Sequence, residues 1–234
     1  SAQAARGALD ELRTTIGFGL RMIFFIILPA MLGLILLRHP IVHLVFEHGS
    51  FTKADTLATA TALLCYAVGL WAFAGVRIIV SAFYSLQDTR TPAVTAGIAV
   101  GANILLSLWL MTLLDAAGLA LATALASMLN GSILVAVLHR RLGRVDWGSI
   151  VRSAFRVLGA CIPVAVMCLW VANASLWDED GAWVVKSAAL FGGIGVSVIG
   201  YLGVHIMLGS EELDVVLGMA KRKLGRVAKK FGAA

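Results

Sequence analysis

Charge is what this sequence has least of. Asp, Glu, Lys and Arg make up 14% of its 234 residues, where an ordinary soluble domain carries roughly 25%. Hydrophobic residues reach 60%, and the mean hydropathy is +0.92. A chain so short of charge cannot clothe itself against water, which excludes a soluble globular domain and points to a bilayer. Proline is scarce too, at four residues, so long helices are left uninterrupted. The three cysteines, Cys65, Cys161 and Cys168, fall inside apolar runs without metal-ligand spacing and read as small buried hydrophobes. No Asp or Glu lies in the middle of an apolar run. His39, His43, His48, His139 and His205 stand near run ends without ligand spacing and read as solvated. Intramembrane hydrolysis needs paired acids, a histidine cluster, or a nucleophile with its base. Nothing of that kind converges, so the chain is not read as an enzyme and no metal centre is expected. The net charge of +6 then points to anionic lipid rather than nucleic acid.

What the sequence does have is six long apolar runs. They cover about Ile16 to Leu37, Thr56 to Tyr84, Ala93 to Leu114, Gly118 to Leu138, Ser153 to Val171 and Trp183 to Leu208. Each supplies the roughly 20 apolar residues of a spanning helix. Backbone groups in lipid must bond within their own segment, so the runs are helices. The expected fold class is an all-α polytopic membrane protein with six transmembrane helices. The expected divisions are an interfacial segment at 1–15, four spans within 16–138, a basic loop at 139–152, two further spans within 153–208, and a basic tail at 209–234.

Lys and Arg favour the cytoplasmic side. With a cytoplasmic N-terminus and six spans, that side receives Arg6, Arg13, Arg21, Arg90, Arg140, Arg141, Arg144, Arg152 and Arg156, plus six Lys and Arg of the tail. Only Arg38, Lys53 and Lys186 fall outside, and Arg77 lies within the membrane. Both ends of the chain are therefore expected in the cytoplasm. The tail EELDVVLGMAKRKLGRVAKKFG repeats its apolar residues at helical spacing, with bases on the other face. That pattern predicts an amphipathic helix on anionic lipid. The start, SAQAARGALDELRTT, has neither an initiator Met nor a signal-peptide pattern, so a piece of a longer protein is expected.

The first outer loop, HPIVHLVFEHGSFTKADT, predicts a short surface helix begun by Pro40 and ended by Gly49, then a capping box of Thr52 with Asp55. The last outer loop carries Trp177, Trp183 and the acids Asp178, Glu179 and Asp180. Small residues four apart predict close helix packing at Ala93, Gly97 and Gly101, at Gly118, Ala122 and Ala126, and at Ala189, Gly193 and Ser197. Charge inside the membrane is costly and marks function. Arg77 is the strong case: it either snorkels to the interface or faces a cavity and binds an anion such as phosphate. Asn103 and Ser107 share one helix face, as do Thr123, Ser127 and Asn130. These faces serve either as interhelical hydrogen-bonding glue or as an oxygen-rich pocket for a small cation such as sodium.

Two blocks carry a resemblance. VFEHGSFTKADT supplies Phe46, Glu47, Gly49, Phe51, Thr52, Asp55 and Thr56; YAVGLWAFAGVRIIVSAFYSLQDTRTP supplies Phe83, Tyr84, Asp88, Thr89, Thr91 and Pro92. In order, spacing and surrounding spans, the chain resembles the lipid II flippases, the MurJ or MviN family of the multidrug, oligosaccharidyl-lipid and polysaccharide exporter superfamily. The resemblance implies a fourteen-helix, two-lobed transporter of which this chain is the last six helices, the N-terminal lobe lying elsewhere. It implies movement of lipid II, the undecaprenyl-pyrophosphate-linked peptidoglycan precursor, to the outer leaflet of the bacterial plasma membrane by alternating access. Arg77 matches a basic position of the central cavity. The fifth and sixth spans match an extra pair that forms a groove for the polyprenyl tail. Asn103, Ser107 and Thr123 match positions that hold sodium in some members, although the family pattern prefers an acid where Ser107 stands. No other cofactor is implied. The rival readings are an exporter of another polyprenyl-linked glycan or a drug, and a non-transporting membrane scaffold.

Overall fold

The computed structural model describes residues 2–143, 146–177, 183–216 and 218, and these contain helices and no strand. The elements are α1 (Ala2–Leu36), α2 (Arg38–Phe46), α3 (Lys53–Val68), α4 (Leu70–Ser85), α5 (Arg90–Leu142), α6 (Trp147–Ala160), α7 (Ile162–Ala172), a 3-10 turn (Ser175–Trp177) and α8 (Trp183–Met207). Four stretches, 10–36, 53–85, 90–142 and 183–207, are long and apolar enough to cross a membrane, and the bent pair α6–α7 makes a fifth. Residues 1–15, expected as a separate segment, instead include the start of α1, which continues without a break into the first span.

Each departure from the expected runs has a local cause. Asp115 leaves helical geometry, with φ 49° and ψ −131°. A Cβ built on Gly118 would lie 2.2 Å from the Leu110 carbonyl oxygen, whereas residues eight apart in a straight helix stand about 12 Å apart. The chain therefore folds back at Asp115, and α5 is two arms, 90–114 and 116–142. The second run breaks at Gly69, where a Cβ would meet the Ala124 Cβ at 2.6 Å. A glycine there lets the α3–α4 junction press onto the second arm of α5. The fifth run is not one straight span: α6 and α7 are bent by 41° at Cys161. Pro163, in the first turn of α7, has no N–H to continue the α6 ladder.

Two cores lie along α1. One gathers Ile16, Leu20, Phe83, Leu134, Leu138 and Ile150 around the first half of α1. The other gathers Phe25, Leu37, Val157, Val164, Leu190 and Tyr201 around its second half, against α7 and α8. Pro29 interrupts α1 and leaves the Phe25 carbonyl without its N–H partner. The Tyr201 hydroxyl donates to that oxygen at 2.7 Å, so the lost bond is remade from a neighbouring helix. Of the small-residue ladders, Gly118, Ala122 and Ala126 are buried, as are Gly193 and Ser197. Ala93, Gly97 and Gly101 are exposed, and the buried positions of that arm are Pro92, Thr95, Ala99 and Leu110 instead. The expected ladder therefore has no packing partner among the described residues. The acids Asp178, Glu179 and Asp180, and the tail from 219 onward, lie outside the described residues. Of the tail's beginning, 211–216 is helical, with Glu212 and Leu213 buried.

Candidate functional site

The first motif block builds a polar knot at one end of the bundle. Gly49 has φ +67°, a conformation that glycine adopts without strain. The turn brings Phe51 to 6.0 Å from Phe46, ring to ring. Thr52 and Asp55 form the reciprocal capping box, with Asp55 Oδ2 accepting from the Thr52 N–H at 2.9 Å and Thr52 Oγ1 accepting from the Asp55 N–H at 3.3 Å. Glu47 Oε2 accepts from the Thr56 hydroxyl at 2.6 Å and pairs with His43 Nδ1 at 2.9 Å. Burial pushes the Glu47 carboxyl up, but the Thr56 and His43 bonds outweigh it and leave it lowered. His43 Nε2 then meets Lys186 Nζ, from the first turn of α8, at 2.9 Å. His43 is thus held between an acid and a base rather than solvated, and Lys186 is buried. His205 is also not solvated: it is fully buried, with Nδ1 at 2.9 Å from the Ser210 hydroxyl.

The second block closes the opposite end. Phe83 is fully buried, while Tyr84 on the next position is exposed. The Asp88 N–H donates to the Phe83 carbonyl at 2.9 Å, and Gln87 takes φ +56° to allow it. Asp88 does the capping: its carboxylate accepts from the Thr91 N–H at 3.0 Å and the Thr91 hydroxyl at 2.6 Å. Thr89, the N-cap residue of α5, makes no side-chain capping bond. Pro92 is buried in the first turn of α5. Asp88 also pairs with Arg141 at 2.7 Å. The Thr91 bonds first, then the Arg141 charge, hold the Asp88 carboxyl below its ordinary value. No sequence spacing signals this pair, because 53 residues separate its members and only the fold-back at Asp115 returns Arg141 to Asp88.

Arg77 lies within α4 and is exposed, on a face with Ser81 and Tyr84 that points away from buried Ala72, Gly75 and Ile79. Among the described residues nothing pairs with its guanidinium. Asn103 and Ser107 come together, with the Ser107 hydroxyl donating to Asn103 Oδ1 at 3.3 Å. The Thr123 hydroxyl donates instead to its own helix, at Leu119 O, 2.9 Å away. This donor set fits a cation incompletely: the oxygens are neutral, one is turned to its own backbone, and no carboxylate stands among them. Along the other side, α1, α7 and α8 enclose an apolar cleft of 530 Å³ lined by Phe25, Pro29, Gly33, Val164, Cys168 and Tyr201.

These features meet in one comparison. The family model described as lipid II flippase MurJ matches residues 1–190. The chain belongs to the lipid II flippase MurJ family. It is 30% identical over 213 residues to the probable lipid II flippase MurJ of Vibrio cholerae, covering 88% of this chain and 39% of that protein. It is 31% identical over 227 residues to that of Rhizobium meliloti, covering 94% of this chain and 42% of that protein. The chain thus spans about two fifths of the length of these MurJ relatives. A solved structure of lipid II flippase MurJ in an inward closed conformation shares the fold, with TM-score 0.65 at 23% identity over 86% of this chain and 41% of that one. The expected multi-pass, all-helical membrane architecture holds.

Proposed function

We propose that the chain is the C-terminal part of a flippase that carries lipid II from the inner to the outer leaflet of the bacterial plasma membrane. The observation that carries this reading is Arg77, an unpaired guanidinium held in mid-helix in a chain of the MurJ family. An unpaired charge at that depth is costly unless it faces water or an anion, and a guanidinium suits a pyrophosphate in charge and geometry. Its face is bare among the described residues and is where a second lobe would meet it. The apolar cleft between α1, α7 and α8, away from the Arg77 helix, offers the polyprenyl tail a path. The two lobes would rock about the substrate, so this part transports nothing alone. The reaction is movement between leaflets, with no bond made or broken. In this reading the two arms of α5 cross separately, giving six spans, with both ends of the chain cytoplasmic and the basic tail on anionic lipid.

The test is Arg77→Ala in the full-length transporter, with flipping measured in reconstituted vesicles. Flipping is lost while expression is retained; normal flipping with normal expression rejects the reading. Sodium is a weak participant, because Ser107 stands where the family prefers an acid. Exchanging sodium for an inert cation at constant ionic strength leaves the flipping rate within about twofold, the limit of a site without a full charge. A steep sodium dependence that Asn103→Ala removes would reverse this view.

A further inference from the structure

A second apolar cleft, of 580 Å³, lies between α1, α4, the second arm of α5, and α6. Its size is that of a ligand pocket. It is separate from the cleft against α7 and α8 and does not include Arg77. On the second arm of α5 its lining runs from Met128 to His139, which is about 16 Å at 1.5 Å per residue. Half of a roughly 30 Å hydrocarbon core is about 15 Å. The cleft is therefore as long as one leaflet is deep.

Its polarity is confined largely to one end. The wall is apolar through Leu20, Phe24, Gly75, Ile79 and Val135, and the mouth carries His139 and Trp147. The Trp147 indole N–H donates to His139 Nδ1 at 3.1 Å. An indole N–H can only donate, so Nδ1 accepts and the neutral ring carries its proton on Nε2, where it can be given to an anion. The tryptophan also marks the mouth as lying at interface depth. Arg140 and Arg152, next in sequence to the lining residues His139 and Val151, are exposed and unpaired among the described residues.

We propose that this cleft binds one acyl chain of an anionic phospholipid, with the headgroup phosphate held by His139 Nε2–H and the Arg140 and Arg152 guanidinium groups. The leaflet is the cytoplasmic one, a clause that rests on the orientation proposed above. The site is distinct from the path of the transported lipid.

The experiment uses the full-length transporter, delipidated and then offered phosphatidylglycerol or phosphatidylcholine with identical acyl chains, with bound lipid counted by native mass spectrometry. The wild type retains phosphatidylglycerol about tenfold over phosphatidylcholine, because both carry the phosphate but only phosphatidylglycerol brings a net negative charge to the guanidinium groups. Ala136→Trp, which fills the cleft, abolishes retention of both, and Arg140→Ala combined with Arg152→Ala removes the preference while leaving weak retention. Ser132→Leu is the milder filling variant if Ala136→Trp does not fold. Equal retention of the two lipids, or full retention by a folded filled variant, overturns the proposal, as does a cleft already occupied by the rest of the protein. Lipid II flipping is measured on the same preparations. Lost lipid preference with intact flipping counts against this site alone; lost flipping with Arg77 present and intact preference counts against the flippase reading alone.

Discussion

At the scale of single residues, the bilayer penalises a backbone group left without a partner, and Tyr201 shows how one is supplied. Pro29 strips the Phe25 carbonyl of its helical partner, and the Tyr201 hydroxyl replaces it at 2.7 Å. The same ring packs on Phe25 at 5.3 Å and on His205 at 4.6 Å. Tyr201→Phe keeps both ring contacts and removes only the hydroxyl. A buried acceptor left unmade costs about 1–3 kcal/mol, so the purified protein melts at a lower temperature. Conversion of Tyr201 to Phe with no change in melting would mean that the carbonyl finds another donor. Nothing in the sequence announces this bond, because it links positions 25 and 201 through a proline whose own effect is local.

At the scale of elements, two joints decide how helices meet. Gly69 sits so close to Ala124 that Gly69→Ala overpacks the α3–α4 junction, at about 1–3 kcal/mol. Ala124→Gly in the same chain restores stability, a coupling that a double-mutant cycle measures. The second joint is Asp88 with Arg141. Its carboxyl is depressed in the folded protein, so its stabilising effect is fully present above the ordinary aspartate value of about 3.9 and fades as pH falls through the lower folded value. The joint is therefore indifferent to pH near neutrality and opens only in strong acid. Asp88→Asn makes the loop susceptible to protease at neutral pH, and the wild type becomes equally susceptible only on acidification; matching digestion of the two at neutral pH would refute the clamp. Legibility divides along the same line. The capping box, the short helix with Pro40 in its first turn and the glycine turn were readable because each is written within a few residues. The Asp88–Arg141 pair, the His43–Lys186 contact and the bend at Cys161 were not, because they depend on which distant helices become neighbours. The exposed run of Ala93, Gly97 and Gly101 failed as a packing signal for the complementary reason: small residues announce close approach without naming the partner.

At the scale of the whole molecule, the two ends of the bundle are chemically unlike. One end ties the start of α1 to the close of α5 through Arg13 and the Leu142 carbonyl, and the α4–α5 turn to α5 through Asp88 and Arg141. The other end ties α2, α3 and α8 through Glu47, Thr56, His43 and Lys186. Arginine concentrates at the first end, which the charge rule assigns to the cytoplasm. In the six-span reading proposed above, the fold-back at Asp115 lets the chain cross once in each arm of α5, and Arg90 and Arg141 return to the same side. Both statements are tested by single cysteines placed in a background lacking Cys65, Cys161 and Cys168, in the full-length transporter. A cysteine at Lys53 or at Asp115 reacts with an impermeant maleimide added to intact spheroplasts. One at Gln87 or at Gly143 reacts only after the membrane is opened. If Lys53 and Gln87 label together, the α3–α4 stretch does not cross; if Asp115 labels only with Gly143, the two arms of α5 do not cross separately and the six-span count falls.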